Sequence, residues 1–187
     1  MHALAFLHEY LKDHKRIGSI TPSSRYLARS MLRNLDLKSA ETVVELGAGT
    51  GAITQHLVAR KKQETCLLVF ESHGCFASEL EQRFAHNSLT IIRDSAENLP
   101  YYFQKYSVKR ADYIISSLPL ACWDDARQAQ FFSLLAKHVW KGGAYVQYQY
   151  FMPTYRRALK EHFREVQLSV TFLNVPSPAW VYTCWKR

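Results

Sequence analysis

Three of the chain's seven glycines fall within five residues, Gly47-Ala48-Gly49-Thr50-Gly51, directly after the run TVVEL and directly before AITQHLVAR. The first run is apolar and β-branched, as a buried strand is, and the second carries helical spacing. A glycine loop between a strand and a helix lets backbone approach a ligand closely. The helix start adds free N–H groups and the positive end of its dipole. The stretch satisfies the dinucleotide pattern as GxGxxA, with Glu71 at the end of the next apolar run as a ribose-binding acid. A nicotinamide-dependent enzyme is therefore one reading of it.

The rest of the chain continues the alternation. Apolar runs at residues 42–46, 66–70, 89–92, 113–115, 144–150, 166–172 and 179–185 read as strands, and residues 53–60, 75–84 and 124–140 as helices, the last stopped by Gly142-Gly143. Such an order predicts an α/β fold of about seven strands, mostly parallel, with helices on both faces. The last two strands lack a helix-length crossover and should pair antiparallel. There is no repeat or low-complexity linker, so the 187 residues are read as one domain, with N-terminal helices over 1–36 and the core over 37–187. Residues 2–16, HALAFLHEYLKDHKR, place Ala3, Leu4, Phe6, Leu7, Tyr10 and Leu11 on one helical arc. That face either packs on the sheet edge or enters a bilayer, where Lys12, Lys15 and Arg16 would meet anionic headgroups. A second helix is expected after Thr21, Pro22, Ser23 and Ser24, through Arg33 or Asn34.

The four cysteines show no CxxC spacing, the start lacks the order of a signal peptide, and no apolar run approaches the ~18 residues of a spanning helix. These features predict a reduced, cytoplasmic protein. The eight histidines form no HxH or HExxH pattern, so no metal is expected. The net charge of +8 is unevenly spread. Residues 1–38 carry +4 and residues 137–187 carry +6, whereas the middle, which holds the glycine loop, carries −2. An anionic partner is expected on the side built by the two ends rather than around the loop.

Glu45, two residues before the first glycine, makes the segment VVELGAGTGAIT, which resembles the first motif of class I S-adenosylmethionine-dependent methyltransferases. The resemblance implies a Rossmann-like class I methyltransferase fold, with S-adenosylmethionine as cofactor. It implies that Glu45 lies beneath the loop of Gly47, Ala48, Gly49 and Gly51 and helps bind the methionyl end. Glu71 and Ser72 in LLVFES match the ribose-binding position. Asp94, Ser95 and Ala96 in IIRDSAENL match the adenine-binding turn, where Asp94 would accept from the exocyclic amine and the Ser95 N–H would donate to the ring.

The fourth motif position is Ser116-Ser117-Leu118-Pro119-Leu120. In the ribosomal RNA adenine dimethylases, which the chain resembles through its first three motifs, Asn-Leu-Pro-Tyr or a close variant grips and stacks the target base there. Serine replaces the asparagine here and leucine the ring, which removes a stacking platform worth ~1–3 kcal/mol. Those enzymes also carry a helical RNA-binding domain, for which 187 residues leave no room. The segments RIGSITPSSRYLARSML, ISSLPL, GGAYVQYQYFMP and NVPSPAWVYTCWK resemble those of soluble bacterial phospholipid N-methyltransferases. That likeness implies stepwise methylation of the phosphatidylethanolamine headgroup toward phosphatidylcholine, by a peripheral protein on the anionic inner membrane face. RNA adenine remains the alternative acceptor, and a non-catalytic membrane- or RNA-binding protein on the same fold the other. A primary ammonium must lose a proton before it attacks, and its methylated products suit aromatic faces. Candidates for the acceptor side are Ser116, which is also expected to contact the cofactor, Tyr148 and Tyr150 as catalytic groups, with Arg25, Tyr26, Leu118 and Pro119 binding substrate; each tyrosine could equally be a packing residue.

Overall fold

The computed structural model of the protein describes residues 22–150, 154–172 and 178–186. The helix expected over residues 2–16 lies outside them, as do residues 151–153 and 174–177 of the lipid-enzyme resemblance. Helix α1 (Pro22–Met31) leads into β1 (Thr42–Leu46), α2 (Thr54–Arg60), β2 (Cys66–Phe70), α3 (Gly74–Arg83) and β3 (Thr90–Ile92). Then follow α4 (Leu99–Lys105), β4 (Ala111–Ser116), α5 (Asp125–His138), β5 (Val139–Tyr150), α6 (Arg156–His162), β6 (Glu165–Thr171) and β7 (Ala179–Trp185). Short 3-10 turns at Ala96–Asn98 and Leu120–Cys122 precede α4 and α5.

Among the described residues seven strands form one sheet in the order β3-β2-β1-β4-β5-β7-β6. The pairs from β3 to β5 are parallel, and β7 runs antiparallel to both β5 and β6. The central strands are apolar nearly end to end because both faces are covered. On one face Leu27 and Met31 of α1, Leu32 just after it, Leu57 of α2 and Leu80 of α3 pack against Val43, Val69, Ile115 and Val146. On the other, Phe103, Phe131, Phe132, Leu135 and Leu159 from α4, α5 and α6 pack against Val44, Leu68, Ile114 and Tyr145. Asp124 caps α5 by accepting the Arg127 N–H at 2.8 Å, and Lys137 and His138 sit at its negative end.

The expected α/β sheet, mostly parallel with an antiparallel last strand, is the observed one, but three details differ. Helices α4 and α6 are not foreseen from periodicity: each is seven residues long, and α4 is built from aromatic residues behind Pro100. The helix expected to reach residue 140 stops at His138. The Gly142-Gly143 pair, expected as a breaker, lies inside β5, where the register with β4 shifts between Ala111 and Tyr113. Glycine is required at 143 for space, since a Cβ there would stand 2.3 Å from the Asp112 carbonyl oxygen. Gly143→Ala is expected to lower stability by the upper end of the ~1–3 kcal/mol of overpacking, because the obstacle is backbone. A urea midpoint equal to that of the parent protein would refute this close approach. Among the described residues no helix is long and apolar enough to cross a membrane.

Candidate functional site

Parallel pairing sets the strand ends side by side. Leu46 is level with Phe70 and with Ser116, Phe70 with Ile92, and Ser116 with Gln147. The glycine loop leaves β1 at this edge, and the N–H groups of Gly47 and Ala48 both donate to the Phe70 carbonyl, at 2.9 and 3.1 Å. Gly47, Gly49 and Gly51 all have positive φ, at 76°, 54° and 78°. Their surroundings differ: a Cβ on Gly51 would meet Leu80 and Phe84 at 2.8 and 3.0 Å, whereas one on Gly49 would meet nothing within 4 Å. The loop's middle faces open space, and its end is packed into the core.

Glu45 lies under this loop, fully buried, with both carboxylate oxygens lacking a hydrogen-bond partner among the described residues. Burial pushes its carboxyl up to about 7, and the hydroxyl and amide of Thr54 at the start of α2 counter that only in part, without reaching hydrogen-bond geometry. An unpaired buried acid beside an open glycine turn fits a ligand that brings positive charge and needs close backbone approach. The methionyl end of S-adenosylmethionine has that chemistry.

Glu71 follows β2 and accepts from the Gly49 N–H at 2.7 Å and the His73 N–H at 2.8 Å. It thus holds the loop to the start of α3, and a carboxylate retains further lone pairs for ribose hydroxyls. Ser72 beside it is exposed. After β3, Asp94 accepts from Asn98 Nδ2 at 2.9 Å, from the Ser95 N–H at 2.7 Å and from the Tyr102 hydroxyl at 3.0 Å. Asn98 foremost, then the Ser95 amide, hold its carboxyl below the usual range. The Ser95 N–H, expected to donate to a ligand ring, is therefore engaged by its own neighbour here. Ala96 is buried behind it, and Arg127 closes this corner with a bidentate pair to Glu97 at 3.0 and 2.6 Å.

The acceptor candidates separate. Strand parity turns Ser116 and Gln147 toward the α5 face, while Tyr148 and Tyr150 share the opposite face with Glu45, α1 and α2. Ser116 is fully buried, and its hydroxyl accepts the Leu118 N–H at 3.3 Å, so it shapes the turn rather than presenting a catalytic group. Gln147, not singled out from sequence, is fully buried too; its Nε2 donates to the carbonyls of Leu118 at 3.1 Å and Tyr148 at 2.7 Å. Its signal was an amide in an alternating run whose partners only the sheet supplies. Leu118 folds over the glycine loop, where a Cβ on Gly47 would stand 2.9 Å from its Cδ2, and Pro119 begins the 3-10 turn. Tyr148 and Tyr150 meet edge to face at 5.3 Å, half-buried. Arg25 and Tyr26 are exposed on α1, on that same face. Among the described residues no group of His, Cys, Asp and Glu could hold a metal ion.

The family described as ribosomal RNA adenine dimethylase matches residues 10–126. An ornithine lipid N-methyltransferase of Singulisphaera acidiphila is 31% identical over 180 residues, covering 96% of this chain and 93% of that protein. A ribosomal RNA small subunit methyltransferase A of Mesomycoplasma hyopneumoniae is 30% identical over 105 residues, 56% of this chain and 37% of that one. Among solved structures, the Thermus thermophilus 16S rRNA N2 G1207 methyltransferase in complex with AdoMet and guanosine superposes with a TM-score of 0.67 at 20% identity, over 91% of this chain and 44% of that one. The N-methyltransferase NodS of Bradyrhizobium japonicum does so at 0.66 and 17%, over 89% and 98%.

Proposed function

Since the chain belongs to the ribosomal RNA adenine dimethylase family, and is thus a class I S-adenosylmethionine-dependent methyltransferase, we propose that it methylates the primary amine of a membrane lipid headgroup, phosphatidylethanolamine first among them, on the cytoplasmic membrane face. The observation that carries this reading is the turn after β4. Leu120, in the place of the base-stacking ring of the RNA enzymes, is 1% exposed and belongs to the core, while Leu118 lies on the glycine loop. Neither offers a flipped base a face to stack on. The relative that matches nearly end to end acts on a lipid amine, whereas the chain spans about a third of the RNA enzyme.

In this reading Glu45 meets the positive methionyl end, and the backbone of Gly47, Ala48 and Gly49 lines the approach. Glu71, with Ser72 beside it, takes the ribose hydroxyls, and the turn of Asp94, Ser95 and Ala96 takes the adenine. Bound S-adenosylmethionine supplies a methyl group on a sulfonium, a good leaving group for in-line displacement. The protein's share is to orient an unprotonated amine. The Tyr148 and Tyr150 rings hold the amine and its methylated, cationic products by cation–π contact, and Arg25 and Tyr26 face the rest of the headgroup. Ser116 and Gln147 keep Leu118 and Pro119 in place.

Radiolabelled methyl transfer to phosphatidylethanolamine, ornithine lipid and unmodified ribosomal RNA, run in parallel, tests the proposal. Label is expected in phosphatidylethanolamine. Label in ornithine lipid alone keeps the lipid amine and removes the ethanolamine headgroup, and label only in RNA overturns the reading.

A further inference from the structure

The Asp94 carboxylate is almost filled by its own surroundings. Asn98 Nδ2 at 2.9 Å and the Ser95 N–H at 2.7 Å share Oδ1, whereas Oδ2 accepts only from the Tyr102 hydroxyl, at 3.0 Å, among the described residues. A carboxylate has about four acceptor positions, so the one left open lies on Oδ2. Asn98 foremost, then the Ser95 amide and Tyr102, hold the carboxyl below its usual range, so at neutral pH it accepts and does not donate. Asn98 and Ser95 bind the other oxygen, and Tyr102 fixes where Oδ2 points.

Tyr102 is itself held from several sides. Its ring stands edge-on to Phe70 at 5.4 Å, meets Tyr101 at 5.0 Å and stacks on Tyr106 at 6.3 Å, with Lys105 Nζ 5.6 Å from its centre. The aromatic residues in and just after α4 thus hold one hydroxyl against one carboxylate oxygen. Phe70 closes β2 directly before Glu71, and the Glu71 N–H donates to the Ile92 carbonyl at 3.0 Å. The tyrosine therefore ties the turn after β3 to the strand end that carries Glu71 and accepts from the glycine loop. An ionised carboxylate with one open position can take one N–H. A 6-amino purine supplies it, whereas a 6-keto purine turns lone pairs toward it.

We propose that Tyr102 is a positioning residue that makes the cofactor site select a 6-amino purine over a 6-keto purine, by fixing the Asp94 oxygen that reads the exocyclic amine. The proposal rests on the reading of this turn as the adenine site and adds Tyr102 to it. Phenylalanine at 102 keeps the ring and its packing and removes only the hydroxyl.

Calorimetry of the full chain with S-adenosylhomocysteine and with its deaminated, 6-keto analogue S-inosylhomocysteine tests this. The parent protein should prefer the amino ligand by roughly thirtyfold, as one hydrogen bond to a charged group allows. Tyr102→Phe should cut that preference to about threefold, chiefly by weakening the amino ligand, and should unfold at a urea midpoint close to the parent's. Tyr101→Phe, which removes a neighbouring hydroxyl that does not touch Asp94, should keep the parent's preference. A tyrosine with a merely structural role would weaken both ligands alike, so an unchanged ratio in Tyr102→Phe overturns the proposal whatever the absolute affinities. So does a parent that binds the two ligands equally while Asp94→Ala weakens both, since the turn then holds the purine without reading its amine. Equal affinity of parent and Asp94→Ala for S-adenosylhomocysteine instead removes the adenine reading on which the proposal rests.

Discussion

Replacing Gly49 with valine is expected to abolish S-adenosylmethionine binding while the protein stays folded. A side chain there must adopt φ near 54°, which costs about 1–2 kcal/mol for an L-residue, but it would touch no protein atom within 4 Å of its Cβ. The added branch projects instead into the open space in front of the loop, which in this reading the ligand would fill. A loss of more than about a hundredfold in affinity, ~2.7 kcal/mol, is the expected calorimetric result. The contrasting change is Gly51→Ala, whose methyl would run into Leu80 and Phe84, so its effect should fall on stability. If Gly49→Val bound the cofactor within a few-fold of the parent, the open turn would not be the cradle.

Glu45→Gln should move stability and binding in opposite directions. The carboxyl is ordinarily half-ionised near 4.5, and burial raises that to about 7 in the folded protein. Between these values the folded chain holds a proton that the unfolded chain has lost, so stability falls as pH rises from about 4.5 to about 7 and is level above. The full difference is roughly 3 kcal/mol. Glutamine carries no charge, so the variant should lack this component of the slope and be the more stable form at pH 8 without ligand. The gain should be partial, because the amide still sits among unpaired neighbours. Its affinity for S-adenosylmethionine should fall at least about tenfold, since the positive methionyl end loses its counter-charge. Urea titrations of parent and variant from pH 5 to 8 give the difference directly, and parallel curves would remove Glu45 as a buried acid. A residue that weakens the unliganded fold at neutral pH yet supports binding is placed for the ligand.

Much of this site was legible along the chain because each part is local. The glycine loop, Glu45, Glu71 and Asp94 each sit at the end of an apolar run, and a mostly parallel sheet brings such ends to one edge. The acceptor side was less legible. Alternation within β5 puts Tyr148 and Tyr150 on one face, but nothing within β4 says whether Ser116 shares it. The register Ser116 with Gln147 decides that, and it sends the serine to the opposite side. The engagement of the Ser95 N–H by Asp94 depends likewise on how the turn after β3 closes.

From the sequence alone came the alternation of strand and helix, the glycine turn and the three acids, since hydrophobic period and glycine's backbone freedom act over a few residues. Tertiary structure alone decided where Gly142-Gly143 goes, because its place inside β5 follows from the Asp112 backbone lying against residue 143. It also decided that Glu45 has no partner and that Leu120 turns into the core. Those are questions of which atoms from distant segments fill the space around a group, and no spacing along one chain contains the answer.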